Sequence, residues 1–146
     1  MLTTILTELF ERDLNKLKEE LDLYENDADL WLKPGRVPNS AGNLALHLCG
    51  NLQHFFGAVL GNSGYVRDRD SEFTRTGVPR DEILAEIDTT LSIVKQTLAD
   101  LSDEDLAALY PIEVFGKPMT TGWFATHLAT HLTWHLGQIT YHRRMV

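Results

Sequence analysis

Residues 121–144 read TGWFATHLATHLTWHLGQITYHRR, and their apolar side chains recur three and four positions apart. That spacing predicts an amphipathic helix. Four histidines share one face of it, because at about 100° per residue they fall within roughly 80° of one another. They are His127, His131, His135 and His142, and Gln138 lies among them. A helix face with so many imidazole side chains indicates a candidate functional site.

Three further segments have helical periodicity and run from about Thr4 to Tyr24, from Ser40 to Leu60 and from Pro79 to about Leu101. Ser40 is a typical N-cap, Pro79 suits a first helical turn, and glycines after Leu60 end the second helix. The connections are long, so at least one crosses the length of the bundle. We therefore predict a single all-α domain over residues 1–146, a four-helix bundle. The last connection is expected to hold a short helix capped by Ser102 and a small hairpin around Gly116 and Lys117.

Composition excludes several function classes. The net charge is −8 and the pI is about 5.1, without a basic run that could neutralise phosphates, so nucleic acid and membrane surfaces are not expected partners. The only cysteine, Cys49, cannot form an internal disulfide. The N-terminus lacks the pattern of a signal peptide, and no apolar run reaches the ~20 residues that span a bilayer. We expect a cytoplasmic protein.

The spacing of the histidines predicts a metal site. His131 and His135 stand one turn apart and can bind one ion together. His127 is separated from His135 by about 12 Å along the helix axis, which is too far for all three to bind the same ion through metal–nitrogen bonds of about 2 Å. The third ligand must come from another helix, and His47 is the natural candidate. An isolated buried histidine is more often a hydrogen-bonded core residue, but six imidazoles clustered on two helices favour a metal. Zinc, nickel or iron(II) would suit such a site.

Other residues with reactive or aromatic side chains have simpler interpretations. Cys49 lies two positions after His47, faces another direction and is expected to be a small buried residue. Trp31, Trp123 and Trp134 are interpreted as core or as pocket wall, with Trp134 facing the histidine cavity.

Residues 39–54, NSAGNLALHLCGNLQH, and residues 127–139, HLATHLTWHLGQI, resemble the DinB-like superfamily, which includes thiol-dependent S-transferases related to the bacillithiol and mycothiol enzymes. The resemblance implies an up-down-down-up bundle with a crossover between helices two and three. It also implies a three-histidine metal site at His47, His131 and His135, a small-molecule thiol and an electrophile as partners, and a homodimer.

That topology makes the second and fourth helices antiparallel, so His54 is expected beside His127. If the two helices were parallel, His54 would instead approach His142. Four residues are predicted to orient a ligand or the substrate: Asn51, His54, His127 and Gln138.

Three functions are compatible with such a site. A metal-dependent S-transferase would use the open coordination position to activate a thiol. A metal-dependent hydrolase would need a general base, and since neither helix has an acid on its histidine face, only His54 or His127 could serve. A non-catalytic protein with a stress-related role would use the metal to brace a bundle that binds a small molecule.

Overall fold

The computed structural model describes residues 1–146 and consists of helices and their connections. Six α-helices are α1 (Leu2–Asp22), α2 (Ala41–Leu52), α3 (Arg69–Thr74), α4 (Arg80–Asp100), α5 (Asp103–Ala107) and α6 (Thr121–Met145). A 3₁₀ turn covers Asp27–Trp31, and a π-helical segment, Gln53–Leu60, continues α2. The four predicted helices are confirmed, with ends that shift by at most two residues.

Side-chain caps explain where three helices begin. The Ser40 hydroxyl accepts a hydrogen bond from the backbone N–H of Asn43, 3.2 Å away, at the start of α2. Thr120 caps α6 in the same way, at 3.1 Å from the N–H of Trp123. Ser102 and Asp105 form the two reciprocal bonds of a capping box at α5. Each cap satisfies an N–H that the helix leaves without an internal partner.

The second long helix changes its hydrogen-bonding pattern partway along. From Gln53 it is π-helical, and the N–H of Gly61 donates to the carbonyl of Phe56, five residues earlier, at 2.9 Å. The sequence pattern predicted one uniform helix over this range. Because a π-helix has a wider turn than an α-helix, side chains after Gln53 point in directions that α-helical geometry does not predict.

Contacts of α1 define the direction of two neighbouring helices. Residue numbers rise together where α1 meets α6, so these helices are parallel; the pairs are Asp13 with Thr133 and Glu20 with Arg143. Where α1 meets α4, residue numbers rise in one helix as they fall in the other, so these two helices are antiparallel. The pairs are Glu11 with Lys95 and Lys18 with Asp88.

The second helix runs antiparallel to α6, since His47 contacts His131 and Phe55 contacts Phe124. The order is therefore up-down-down-up, and residues 61–79, which contain α3, form the crossover between α2 and α4. Both features agree with the DinB-like resemblance. Within the crossover, α3 packs against α2, and Glu72 of α3 reaches the imidazole of His47.

The core is a continuous cluster of 29 buried apolar residues drawn mainly from the four long helices. Phe10 of α1 and Phe56 of the π-helical segment meet edge to face at its centre, with ring centroids 5.2 Å apart. This burial supplies the main driving force for folding. No helix in the structure combines the length and apolar character that a membrane crossing requires.

The predicted hairpin around Gly116 does not form. Leu109 and Thr120 make a single antiparallel bridge, and the N–H of Tyr110 donates to the carbonyl of Met119 at 2.8 Å. Gly116 adopts a positive φ of 74° and turns the chain, as expected. No further backbone hydrogen bond joins the two segments between Tyr110 and Met119, so the pairing does not extend towards the turn.

Candidate metal centre

Three histidines from two antiparallel helices converge on one point. His47 comes from α2, and His131 and His135 occupy successive turns of α6. The Nε2 atom of His131 lies 3.2 Å from Nε2 of His47 and 3.2 Å from Nε2 of His135. The ligating nitrogens of the three residues all lie within 4.8 Å of one another. The structure thus brings together the three residues predicted as metal ligands.

These distances fit a shared transition-metal ion. A metal–imidazole bond of about 2.0–2.1 Å places two nitrogens on one tetrahedral ion about 3.3 Å apart. The observed 3.2 Å separations match that spacing. A divalent transition metal is the natural partner of several convergent neutral imidazoles, although nitrogen ligands alone do not select which metal.

Hydrogen bonds on the far side of two rings set their tautomers. Nδ1 of His47 lies 2.9 Å from a Glu72 carboxylate oxygen and 3.3 Å from Nη2 of Arg67, which itself donates to that oxygen at 2.9 Å. The shorter contact is to a group that can only accept, so Nδ1 carries the proton. Nδ1 of His135 donates in the same way to the amide oxygen of Gln138, at 2.7 Å. In both rings the Nε2 lone pair is therefore free and directed towards the common point.

Two histidines of α6, His131 and His135, are kept uncharged. Burial, followed by the charges of His135 and His47, lowers the pKa of His131 to about 3. Burial also lowers the pKa of His135 below its ordinary value. Since a metal binds neutral imidazole, both rings are in the ligating form at neutral pH.

The structure adds two residues that sequence reasoning missed, Glu72 of α3 and Arg67 just before it. The Arg67 guanidinium donates to both carboxylate oxygens of Glu72, at 2.9 Å each. Burial raises the pKa of Glu72, but hydrogen bonds from His47 and Arg67 outweigh it and hold the pKa below its ordinary value. An ionised carboxylate therefore lies directly behind His47.

The expected pairing of His54 with His127 is not observed. Half-buried His54 packs on Phe55, with ring centroids 4.7 Å apart, while His127 stacks on Trp123 at 5.5 Å. No hydrogen bond or ring contact joins the two histidines. The helices are antiparallel as expected, but His54, at the start of the π-helical segment, packs against its neighbour Phe55 and not against α6. Burial and the nearby Arg67 lower the pKa of His54.

Asn51, Gln138 and His142 have distinct surroundings. Gln138 orients His135, whereas Asn51 is buried with its side-chain oxygen unpartnered. His142 does not contact the three convergent histidines and bridges the Tyr24 hydroxyl and the Leu32 carbonyl, at 2.7 Å each. The roles of Asn51, His54, His127 and Gln138 towards a substrate stay predictions.

The cysteine and tryptophans have mostly structural surroundings. Cys49 is buried as expected, and burial raises the pKa of its thiol to about 12, which disfavours the thiolate. Trp31 packs over Gly42 of α2. The predicted orientation of Trp134 is wrong, because its side chain is 70% exposed on the outer face of α6. Trp123 is half exposed and is the stacking partner of His127.

One aromatic side chain contacts a candidate ligand directly, and two others lie beside neighbouring residues of the site. The Phe73 ring centroid lies 4.7 Å from that of His47, and Phe115 lies 5.0 Å from His127. The Arg67 guanidinium carbon stands 5.8 Å from the centroid of Phe55. Phe73 therefore borders the candidate centre itself, while Phe115 borders His127 and Phe55 lies under the Arg67 cation.

Fold and site together define a class, an up-down-down-up helical bundle with a three-histidine group that could hold a metal ion. Residues 6–146 match the family described as "Protein of unknown function (DUF1572)", and the chain belongs to this family. A comparison with curated proteins found no match.

Two solved structures share the fold. A conserved protein from Enterococcus faecalis is 17% identical, with a TM-score of 0.78 over 99% of this chain and 96% of that one. A DinB-like protein, YjoA, from Bacillus subtilis is 18% identical, with a TM-score of 0.71 over 95% of this chain and 89% of that one. The family match and the DinB-like neighbour confirm the resemblance drawn from the two histidine segments.

Proposed function

We propose that the protein is a divalent-metal-dependent S-transferase that joins a low-molecular-weight thiol to an organic electrophile. His47, His131 and His135 would hold the ion. The observation that carries the proposal is the convergence of three imidazoles, in which Nε2 of His131 lies 3.2 Å from Nε2 of His47 and of His135. The rings of His47 and His135 are in hydrogen-bonded tautomers that free their Nε2 lone pairs.

Three protein ligands are typical of catalytic zinc sites, which keep a coordination position open, whereas structural sites are closed by four. When bound, such an ion acts as a Lewis acid that favours the deprotonated form of a thiol. The choice of a thiol over water is supported by the DinB-like resemblance. A cytoplasmic location would suit a reduced thiol.

The surroundings of the histidines support an organic substrate. Phe55, Phe73 and Phe115 offer apolar faces on which an electrophile can pack. His127 extends this wall towards half-exposed Trp123. Asn51 offers a buried acceptor without a partner, and His54 offers an imidazole of lowered pKa. We assign these residues to substrate orientation.

The hydrolase alternative gains no support from Glu72. Its carboxylate is the acid nearest to the histidines, yet both oxygens accept bonds from Arg67 and one also accepts from His47. It faces Nδ1 of His47, on the side of the ring opposite the three Nε2 atoms. A general base must be within reach of the proton it removes, and Glu72 is not placed for that task.

Metal binding is tested by elemental analysis of the purified protein after incubation with zinc, nickel or iron(II). We expect one ion per chain in the wild type and its loss in His131→Ala. His127→Ala, which removes an imidazole from the same helix face, is the matched control and should keep the ion. A wild type that takes up none of the three metals contradicts the proposal.

Catalysis is tested by following the consumption of glutathione, bacillithiol and mycothiol with model electrophiles in the metal-loaded protein. We expect turnover with at least one thiol and none in His131→Ala. Metal binding without turnover of any thiol would overturn the transferase and favour the non-catalytic binder. Ester hydrolysis that disappears in His54→Ala would instead favour the hydrolase.

A further inference from the structure

The crossover between α2 and α4 contributes a buried charged pair to the metal centre. The side chains of Glu72 and Arg67 are only 6% and 11% exposed. Removing two charges from water costs several kcal/mol per ion, and a pair of apolar residues would often be at least as stable. Stability alone therefore does not account for the pair.

The second helix makes room for this carboxylate. Gly50 lies three residues after His47 on the same face, and a Cβ atom there would overlap the carboxylate of Glu72. Asn43, one turn before His47, donates its side-chain N–H groups to the carbonyls of Glu72 and Arg75, at 3.0 and 2.7 Å. The α2 face at residues 43, 47 and 50 thus holds Glu72 in one place.

The position of Glu72 has a direct consequence for His47. A carboxylate held by two bonds from Arg67 can only accept from the ring, so it keeps the proton on Nδ1 and the lone pair on Nε2. A histidine ligand whose other nitrogen donates to a carboxylate is also oriented and made more basic.

We propose that Glu72, held by Arg67 and Gly50, is a positioning residue that selects the metal-binding tautomer of His47 and so couples metal affinity to the crossover. This inference rests on the proposed metal site and adds a residue that touches neither ion nor substrate. It assigns the crossover a function beyond connecting two helices.

The test compares Glu72→Gln with Glu20→Gln, because Glu20 is also a buried carboxylate bonded to an arginine, and it contacts none of the three histidines. Zinc affinity is measured by competition with a chromophoric chelator. We expect Glu72→Gln to weaken zinc binding by about 10- to 100-fold. Glu20→Gln should leave it unchanged even if it lowers the melting temperature. Unchanged affinity in Glu72→Gln, or equal losses in both variants, would overturn the proposal.

A second measurement needs no metal. The ¹⁵N shifts of the His47 ring in metal-free wild-type protein should report a single Nδ1–H tautomer, and Glu72→Gln should give a mixture. A wild-type ring protonated on Nε2 would overturn the positioning role even if zinc binds. Failure of the wild type to bind any metal, with the tautomer as expected, would instead overturn the proposed function and the coupling to metal affinity, and would leave only the selection of the His47 tautomer by Glu72.

Discussion

At position 50 the space that a side chain would fill is already occupied by the Glu72 carboxylate. Alanine normally stabilises a helix interior relative to glycine by about 0.5–1 kcal/mol. We expect Gly50→Ala to forfeit that gain and to weaken zinc binding, because the added methyl group displaces Glu72 from His47.

Gly137 of α6 is the matched control, since nothing lies within 4 Å of a Cβ atom built there. Gly137→Ala should gain roughly the usual helix stabilisation and keep its zinc affinity. Both quantities are measured by urea unfolding of the metal-free proteins and by chelator competition. Equal zinc affinity in the two variants would contradict the steric argument.

His131 gives the metal-free protein a specific dependence on pH. In the unfolded chain its imidazole is protonated as the pH falls through its ordinary pKa of 6.5, but in the folded protein burial delays protonation to about pH 3. The unfolded state binds more protons between these values, so stability decreases as the pH falls below 6.5.

We therefore expect the urea midpoint of metal-free protein to fall between pH 7 and pH 5, and to fall less in His131→Gln. Urea titrations at both pH values, with chelator present, measure the difference. The same slope in wild type and variant would show that His131 does not contribute.

At the scale of the helices, the start of α2 organises the crossover as well as the helix itself. Ser40 is fully buried, caps the Asn43 N–H and donates to the Asn43 side-chain oxygen at 2.7 Å. Asn43 in turn holds the carbonyls of Glu72 and Arg75. A single serine thus connects helix initiation with the position of α3.

Ser40→Ala should reduce the free energy of unfolding by about 1–2 kcal/mol, the upper part of the range for an N-cap. The exposed N-cap of α6 is the comparison: Thr120→Ala removes one cap bond without a further contact and should cost about 0.5–1 kcal/mol. Urea denaturation of both variants tests this order. A larger loss in Thr120→Ala would contradict it.

At the scale of the whole molecule, a bound ion would connect α2 to α6, two helices that are far apart in sequence. A metal that binds only the folded state adds about 2.7 kcal/mol to stability when its free concentration is roughly 100 times Kd. We expect zinc to raise the melting temperature of the wild type and a chelator to reverse the change. In calorimetry, His131→Ala should show neither effect.

Much of the fold could be predicted from local patterns, because helix periodicity and caps depend on neighbouring residues. The spacing of His131 and His135 predicted a shared ligand point for the same reason, since four residues make about one turn. His47 was predicted as the third member because the third ligand must come from another helix, and the DinB-like resemblance implies the same residue. The structure brings it to 3.2 Å from His131.

Only the tertiary structure determined which residues from other segments contact these histidines. Glu72 reaches His47 from an irregular crossover 25 residues away, whose path depends on contacts such as those of Asn43. The separation of His54 from His127 depends likewise on packing, as does the exposure of Trp134. Local periodicity determines which residues share a helix face, whereas contacts between distant segments are selected by the packing of the complete chain.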